Sequence, residues 1–105
     1  MKVTKCTLVM FAMFISGNSL AGQSSQVNNC IEFNNPRPGQ VYNGCDGTVN
    51  LWWRDSGDCN GDGCLVTVRG NTSYSISSPK GAVRYLACPA PSDPVKTPSG
   101  GRVCE

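Results

Sequence analysis

Six cysteines, Cys30, Cys45, Cys59, Cys64, Cys88 and Cys104, follow a short apolar leader in a chain of only 105 residues. An even set in a small exported chain reads as a disulfide framework, and that framework limits the fold more than any other feature. The seventh cysteine, Cys6, falls within residues 1–21, which carry the marks of a secretory signal. Lys2 and Lys5 make the positive start, residues 7–15 (TLVMFAMFI) the apolar core, and Ser19-Leu20-Ala21 the small-residue cleavage pattern. The apolar run is too short for a bilayer span, which needs about 20 residues. Cleavage after Ala21 removes the odd thiol.

Removing 21 residues from 105 leaves 84. A chain of that size buries about two-thirds of its unfolded surface, so hydrophobic burial barely exceeds chain entropy and every cross-link counts. Three bridges contribute about 2–4 kcal/mol each. The reduced chain is therefore expected to be largely unfolded. Spacing favours a Cys59–Cys64 pair; among the remaining connectivities, Cys45–Cys88 and Cys30–Cys104 join strand ends and fasten both termini.

The pattern along the chain is strand and turn. Ile31 and Phe33 alternate with Glu32, Val41 and Tyr42 open a second short pairing, and residues 48–54 (TVNLWWR) alternate most clearly. There Val49, Leu51 and Trp53 share one face, with Thr48, Asn50, Trp52 and Arg54 on the other. Residues 65–69 (LVTVR) are rich in β-branched side chains, and alternation returns over 74–76 and 83–87 with a turn at Pro79-Lys80-Gly81 between them. No window sustains a helical period. The expected fold is all-β, a small disulfide-stapled sandwich or open barrel of five to six short antiparallel strands. Residues 22–88 make the β domain, and 89–105, with four prolines, two of the chain's glycines and a cysteine, read as an irregular tail tethered by Cys104.

Charge and composition exclude several functions. The nine Lys and Arg fall to seven without Lys2 and Lys5, matching seven Asp and Glu, so the mature chain is neutral. A neutral chain lacks the basic footprint that nucleic acid or an anionic membrane selects. The chain has no histidine, which removes the common general base, the common zinc ligand and every Ser-His or Cys-His pair. Its mature glutamates are Glu32, in a strand, and the terminal Glu105, which makes a paired-carboxylate enzyme a poor fit. No catalytic residue is assigned.

Two candidate sites remain. In the loop DSGDCNGDGC, Asp58, Asn60 and Asp62 match the first half of an EF-hand calcium loop, with oxygen ligands alternating around a glycine bend. The position of the bidentate glutamate is taken by Arg69, and the flanks are strands. Asp, Asn and Gly are also what a plain turn selects, so the first reading is a hairpin connection closed by Cys59 and Cys64, and a calcium loop is the second. The other site is Trp52. If its neighbour Trp53 joins the core, Trp52 lies on the outer face beside Asn50 and Arg54, free to stack on a sugar or anchor a protein unless the tail packs over it. Asn71-Thr72-Ser73 is a glycosylation sequon, with meaning only in a eukaryotic secretory pathway.

Asn43-Gly44-Cys45-Asp46-Gly47-Thr48-Val49 resembles the N-x-C-x-x-T-V opening of thaumatin-like β-sandwich proteins, where that segment enters a sheet. Over seven residues the resemblance implies a disulfide-bonded β fold and assigns no residue roles. These readings converge on a secreted or periplasmic, non-enzymatic binding protein. It is expected to act as an inhibitor, effector or envelope interaction factor on a protein partner through Trp52, Arg54 and Asp55. The alternatives are a small carbohydrate-binding module using Trp52 and a calcium-stabilised structural protein.

Overall fold

A computed structural model describes residues 24–105, so the leader read over residues 1–21 lies outside the described part. A 3-10 turn at Asn28–Cys30 leads into eight short strands: β1 (Ile31–Phe33), β2 (Gln40–Asn43), β3 (Val49–Arg54), β4 (Cys64–Val68), β5 (Thr72–Ser75), β6 (Arg84–Pro89), β7 (Pro94–Lys96) and β8 (Arg102–Cys104). They form two three-stranded sheets, β1-β2-β5 and β4-β3-β6, and a hairpin, β7-β8. Every pairing is antiparallel. The all-β, disulfide-stapled reading holds. The strand count rises to eight because the tail, expected to be irregular, contributes β7 and β8.

Strand β3 organises the molecule, because its alternation is the cleanest in the chain and it pairs on both sides. Its inward residues Val49, Leu51 and Trp53 are buried, and its register sets Val68 and Val66 of β4 and Ala87 and Tyr85 of β6 on the same face. Opposite them the first sheet supplies Ile31 and Val41, so the two inward faces close on one core. Phe33 reaches across, its ring centroid 5.2 Å from that of Tyr85 and 6.4 Å from that of Trp53. The buried amide of Asn43 satisfies backbone on both sides of the seam: Nδ2 donates to Val68 O at 3.0 Å and to Gly47 O at 2.8 Å, and Oδ1 accepts from Cys45 N at 3.0 Å. A buried polar group matched in this way fixes register without leaving an unpaired atom.

The bridges are Cys30–Cys45, Cys59–Cys64 and Cys88–Cys104, with Cα separations of 5.2, 5.3 and 5.4 Å. The Cys59–Cys64 expectation holds; Cys45–Cys88 and Cys30–Cys104 are overturned. The reason is register. Cys88 stands opposite Asn50 on the outward face of β3, facing the tail, whereas Cys30 and Cys45 flank the β1–β2 hairpin, where Gly44 N donates to Cys30 O at 2.8 Å. Each bridge therefore staples a local unit. Three bridges in so small a protein fit an oxidising environment. Among the described residues no helix is long and apolar enough to cross a membrane.

The segment before β1 is held by hydrogen bonds to β6 and β8. Val27 N donates to Ala87 O at 2.8 Å, Ala87 N donates to Asn28 Oδ1 at 2.7 Å, and Ser24 N donates to Cys104 O at 3.0 Å. The two bonds to Ala87 cover the outer edge of β6, which would otherwise present unpaired backbone, and the third ties the segment to β8.

Candidate binding cleft

The outward face of β3 is where the sequence placed its candidate residues, and the strand delivers them in order: Asn50, Trp52 and Arg54 alternate with the core side chains. Register sets Leu65 and Leu86 on either side of Trp52, and Arg84 directly opposite Arg54. The Cys88–Cys104 bridge holds the β7-β8 hairpin against this face. Asn50 Nδ2 fastens the hairpin's entry by donating to Ser92 O at 2.9 Å and Asp93 Oδ1 at 3.2 Å.

Trp52 is half-buried as a result, with its N–H and one face of its ring engaged. Its Nε1 donates to Asp62 O at 2.6 Å, and the guanidinium of Arg102 lies over the ring, 5.0 Å from the centroid. Arg102 is itself fixed, donating to Pro94 O at 3.0 Å and to Asp62 O at 3.2 Å. Gly63, at φ 88°, brings the loop backbone so close to the indole that a Cβ there would collide with Trp52 Nε1 and would sit 2.6 Å from Trp53 O. Tail and loop thus both converge on the tryptophan.

The result is a cleft of about 350 Å³ on the outer face. Trp52 and Leu86 line it together with Gly100 and Gly101 of the β7-β8 turn, and Arg54, Arg84, Lys96 and Arg102 give it its charge. Asp62 supplies the acid on its rim: Lys96 Nζ donates to Asp62 Oδ1 at 2.9 Å, an ion pair of exposed side chains. The hydrogen bond and charge of Lys96 are the main reason Asp62 titrates below the ordinary aspartate value. Four of the seven cations outside residues 1–21 line this single cleft, so the neutral total conceals a strongly polarised surface.

The 55–64 loop is organised by Asp55. Expected at the binding surface, Asp55 is only 7% exposed, its carboxylate turned into the loop. Oδ1 accepts from Gly57 N at 2.9 Å and Cys59 N at 3.0 Å, and Oδ2 accepts from Lys80 N at 3.0 Å. Burial pushes its pKa up, but the three N–H donors and the charge of Lys80 outweigh that and hold it below the ordinary value. Asp55 therefore joins the loop to the 79–81 turn, where Ser56 N also donates to Lys80 O at 3.0 Å. An Asx-type clasp was readable in Asp55-Ser56-Gly57, since aspartate before small residues caps its own turn.

Asp58 and Asn60 are exposed on the same loop, and successive turns (Asn60 N to Gly57 O and Gly63 N to Asn60 O, both 3.3 Å) carry the chain from Cys59 to Cys64. Asp62, the third residue of the calcium reading, is committed to Lys96 through its side chain and to Trp52 and Arg102 through its carbonyl. Among the described residues no three Asp, Glu, His or Cys side chains gather as a metal would need. Backbone, Asp55 and the disulfide suffice to shape the loop.

Of the residues singled out from sequence, Trp52, Arg54 and Asp62 meet in the cleft, while Asp55, Asp58 and Asn60 do not line it. Arg84, Lys96 and Arg102 escaped sequence reasoning. The alternation of residues 83–87 placed Arg84 on a strand face, but only the β3–β6 register puts it beside Arg54. Comparison with family models, with curated proteins and with solved structures finds no match for this chain. The fold and the cleft stand on their own residues.

Proposed function

We propose that the protein is an exported, non-enzymatic binding domain that engages a protein partner through the cleft on the outer face of β3. The observation that carries this reading is the convergence of Trp52, Arg54 and the disulfide-closed loop on one concave, charged surface. Interface anchors are drawn from tryptophan and arginine seated in such pockets. The cleft has no histidine, thiol or cluster of carboxylates, so it offers recognition chemistry.

A sugar platform on Trp52 is the weaker alternative. Sugar stacking uses an open indole face, and the guanidinium of Arg102 already lies over one face of this ring while its N–H donates to Asp62 O. The test is capture of partners from the native extracellular or periplasmic milieu by the disulfide-intact protein, alongside Arg54→Glu, whose exposed side chain leaves the core untouched. A protein retained by the parent and lost with Arg54→Glu supports the reading. Glycan-array binding lost on Trp52→Ala, with no protein retained, transfers the function to carbohydrate.

A further inference from the structure

Arg54 and Arg84 face each other across the β3–β6 ladder, the last residue of one strand paired with the first of the other. Like charges directly opposite on neighbouring strands repel and destabilise the pairing. Neither arginine is ion-paired among the described residues: the ion pair there is Lys96–Asp62, and the charge of Arg54 reaches Asp62 only as the weakest of the influences that lower its pKa. Both guanidinium groups are exposed and line the cleft. Of the cleft cations, Lys96 pairs with Asp62 and Arg102 donates to backbone, whereas Arg54 and Arg84 have no hydrogen bond or ion pair of their side chains among the described residues. Their planar forks match carboxylates in geometry as well as charge.

A second groove, of about 690 Å³, adjoins the first and shares Lys96 and Arg102 with it. Its lining is more apolar and includes Val95 and the two large hydrophobic side chains most exposed among the described residues, Leu65 at 65% and Tyr74 at 51%. Cationic donors therefore sit at one end of a continuous surface and uncovered apolar side chains at the other. A sulfated or uronic glycan complements only the first end. A polypeptide segment with acidic side chains a few residues from leucine- or phenylalanine-like ones complements both.

We infer that the cleft and groove together recognise an acidic segment of the partner protein, its carboxylates held by Arg54 and Arg84 and its adjacent apolar side chains laid against Leu65 and Tyr74. The inference rests on the protein-binding reading above and names the chemistry of that partner. A random dodecapeptide display library, selected against the disulfide-intact protein expressed from the full-length chain, is the probe, with soluble heparin as the glycan arm.

Enriched peptides should carry Asp or Glu next to an apolar residue. Binding of the synthetic peptides should weaken at least about tenfold in Arg54→Gln/Arg84→Gln, about 1.4 kcal/mol, and fall with added salt. Arg37→Gln/Arg69→Gln removes the same charge from residues outside the cleft and should leave affinity within about twofold; Leu65→Ser should weaken it with the salt dependence retained. Enriched peptides without acidic residues that still compete for the Trp52 face would overturn the acidic inference and leave the protein-binding reading standing. Heparin binding lost in the double-arginine variant, with no peptide enriched, would overturn both, as would no binding by either probe.

Discussion

Arg102 stacks on Trp52 with its guanidinium 5.0 Å from the ring centroid while donating to Pro94 O and Asp62 O. One side chain thereby ties the tail hairpin, the 55–64 loop and the central strand together. Removing it as Arg102→Ala forfeits a partly desolvated cation–π contact and two hydrogen bonds to backbone, a loss of about 1–2 kcal/mol. The expected result is a melting temperature lower by roughly 4–15 °C for a domain of this size, with Trp52 emission shifted to the red. Unchanged melting and emission would show that the stack contributes nothing.

Acid should destabilise the loop in a defined direction. Asp55 and Asp62 both titrate below 3.8 in the folded protein, so the native state binds fewer protons than the unfolded chain. Their contribution is complete above the unfolded value and is withdrawn as pH falls through the lower folded values. Melting temperature measured from about pH 6 down to pH 2 should therefore hold level and then drop. In Asp55→Asn the level part should lie lower and the acid drop should shrink, because the carboxylate that titrates there is gone.

The three bridges should differ in worth. Cys59–Cys64 closes a separation of 5 residues, Cys30–Cys45 one of 15 and Cys88–Cys104 one of 16. On chain entropy the shortest loop contributes about 1 kcal/mol less than the others. Urea unfolding should rank Cys59→Ser/Cys64→Ser as the mildest double variant, although it alone should loosen the Trp52–Asp62 contact. Full reduction should unfold the protein, read as loss of near-ultraviolet circular dichroism.

Calcium offers a direct comparison. With Asp62 paired to Lys96 and Asp55 occupied by three backbone donors, EDTA should leave the melting temperature unchanged, and added calcium should not raise it. A rise with calcium would show that the loop rearranges to bind it.

Much of the framework was legible in the residues. Alternation over 48–54 identified the central strand and put Trp53 inside and Trp52 outside, because a pleated strand leaves neighbouring side chains no other choice. The short spacing of Cys59 and Cys64 gave their pairing. The tail was misread because its prolines suggest irregular chain, yet Pro94 occupies the first position of β7, where a missing N–H is tolerated, and Pro98-Ser99-Gly100-Gly101 makes the tight turn a hairpin requires. The other two bridges were not legible: Cys45–Cys88 and Cys30–Cys104 were expected to join distant strand ends, whereas register brings each cysteine to its neighbour along the chain. The cleft was half legible for the same reason: Trp52 and Arg54 lie on one strand, whereas Arg84, Lys96 and Arg102 arrive from three others.

The order of the bridges along the chain has a consequence for biogenesis. Among the six cysteines of the described residues the first pairs with the second, the third with the fourth and the fifth with the sixth, so no covalent loop there encloses another. If the chain is exported N-terminus first, as proposed above, Cys45 is presented before Cys59 emerges, and Cys64 before Cys88. An oxidase that simply joins thiols as they appear makes the native set, and yield should not depend on an isomerase to reshuffle wrong partners.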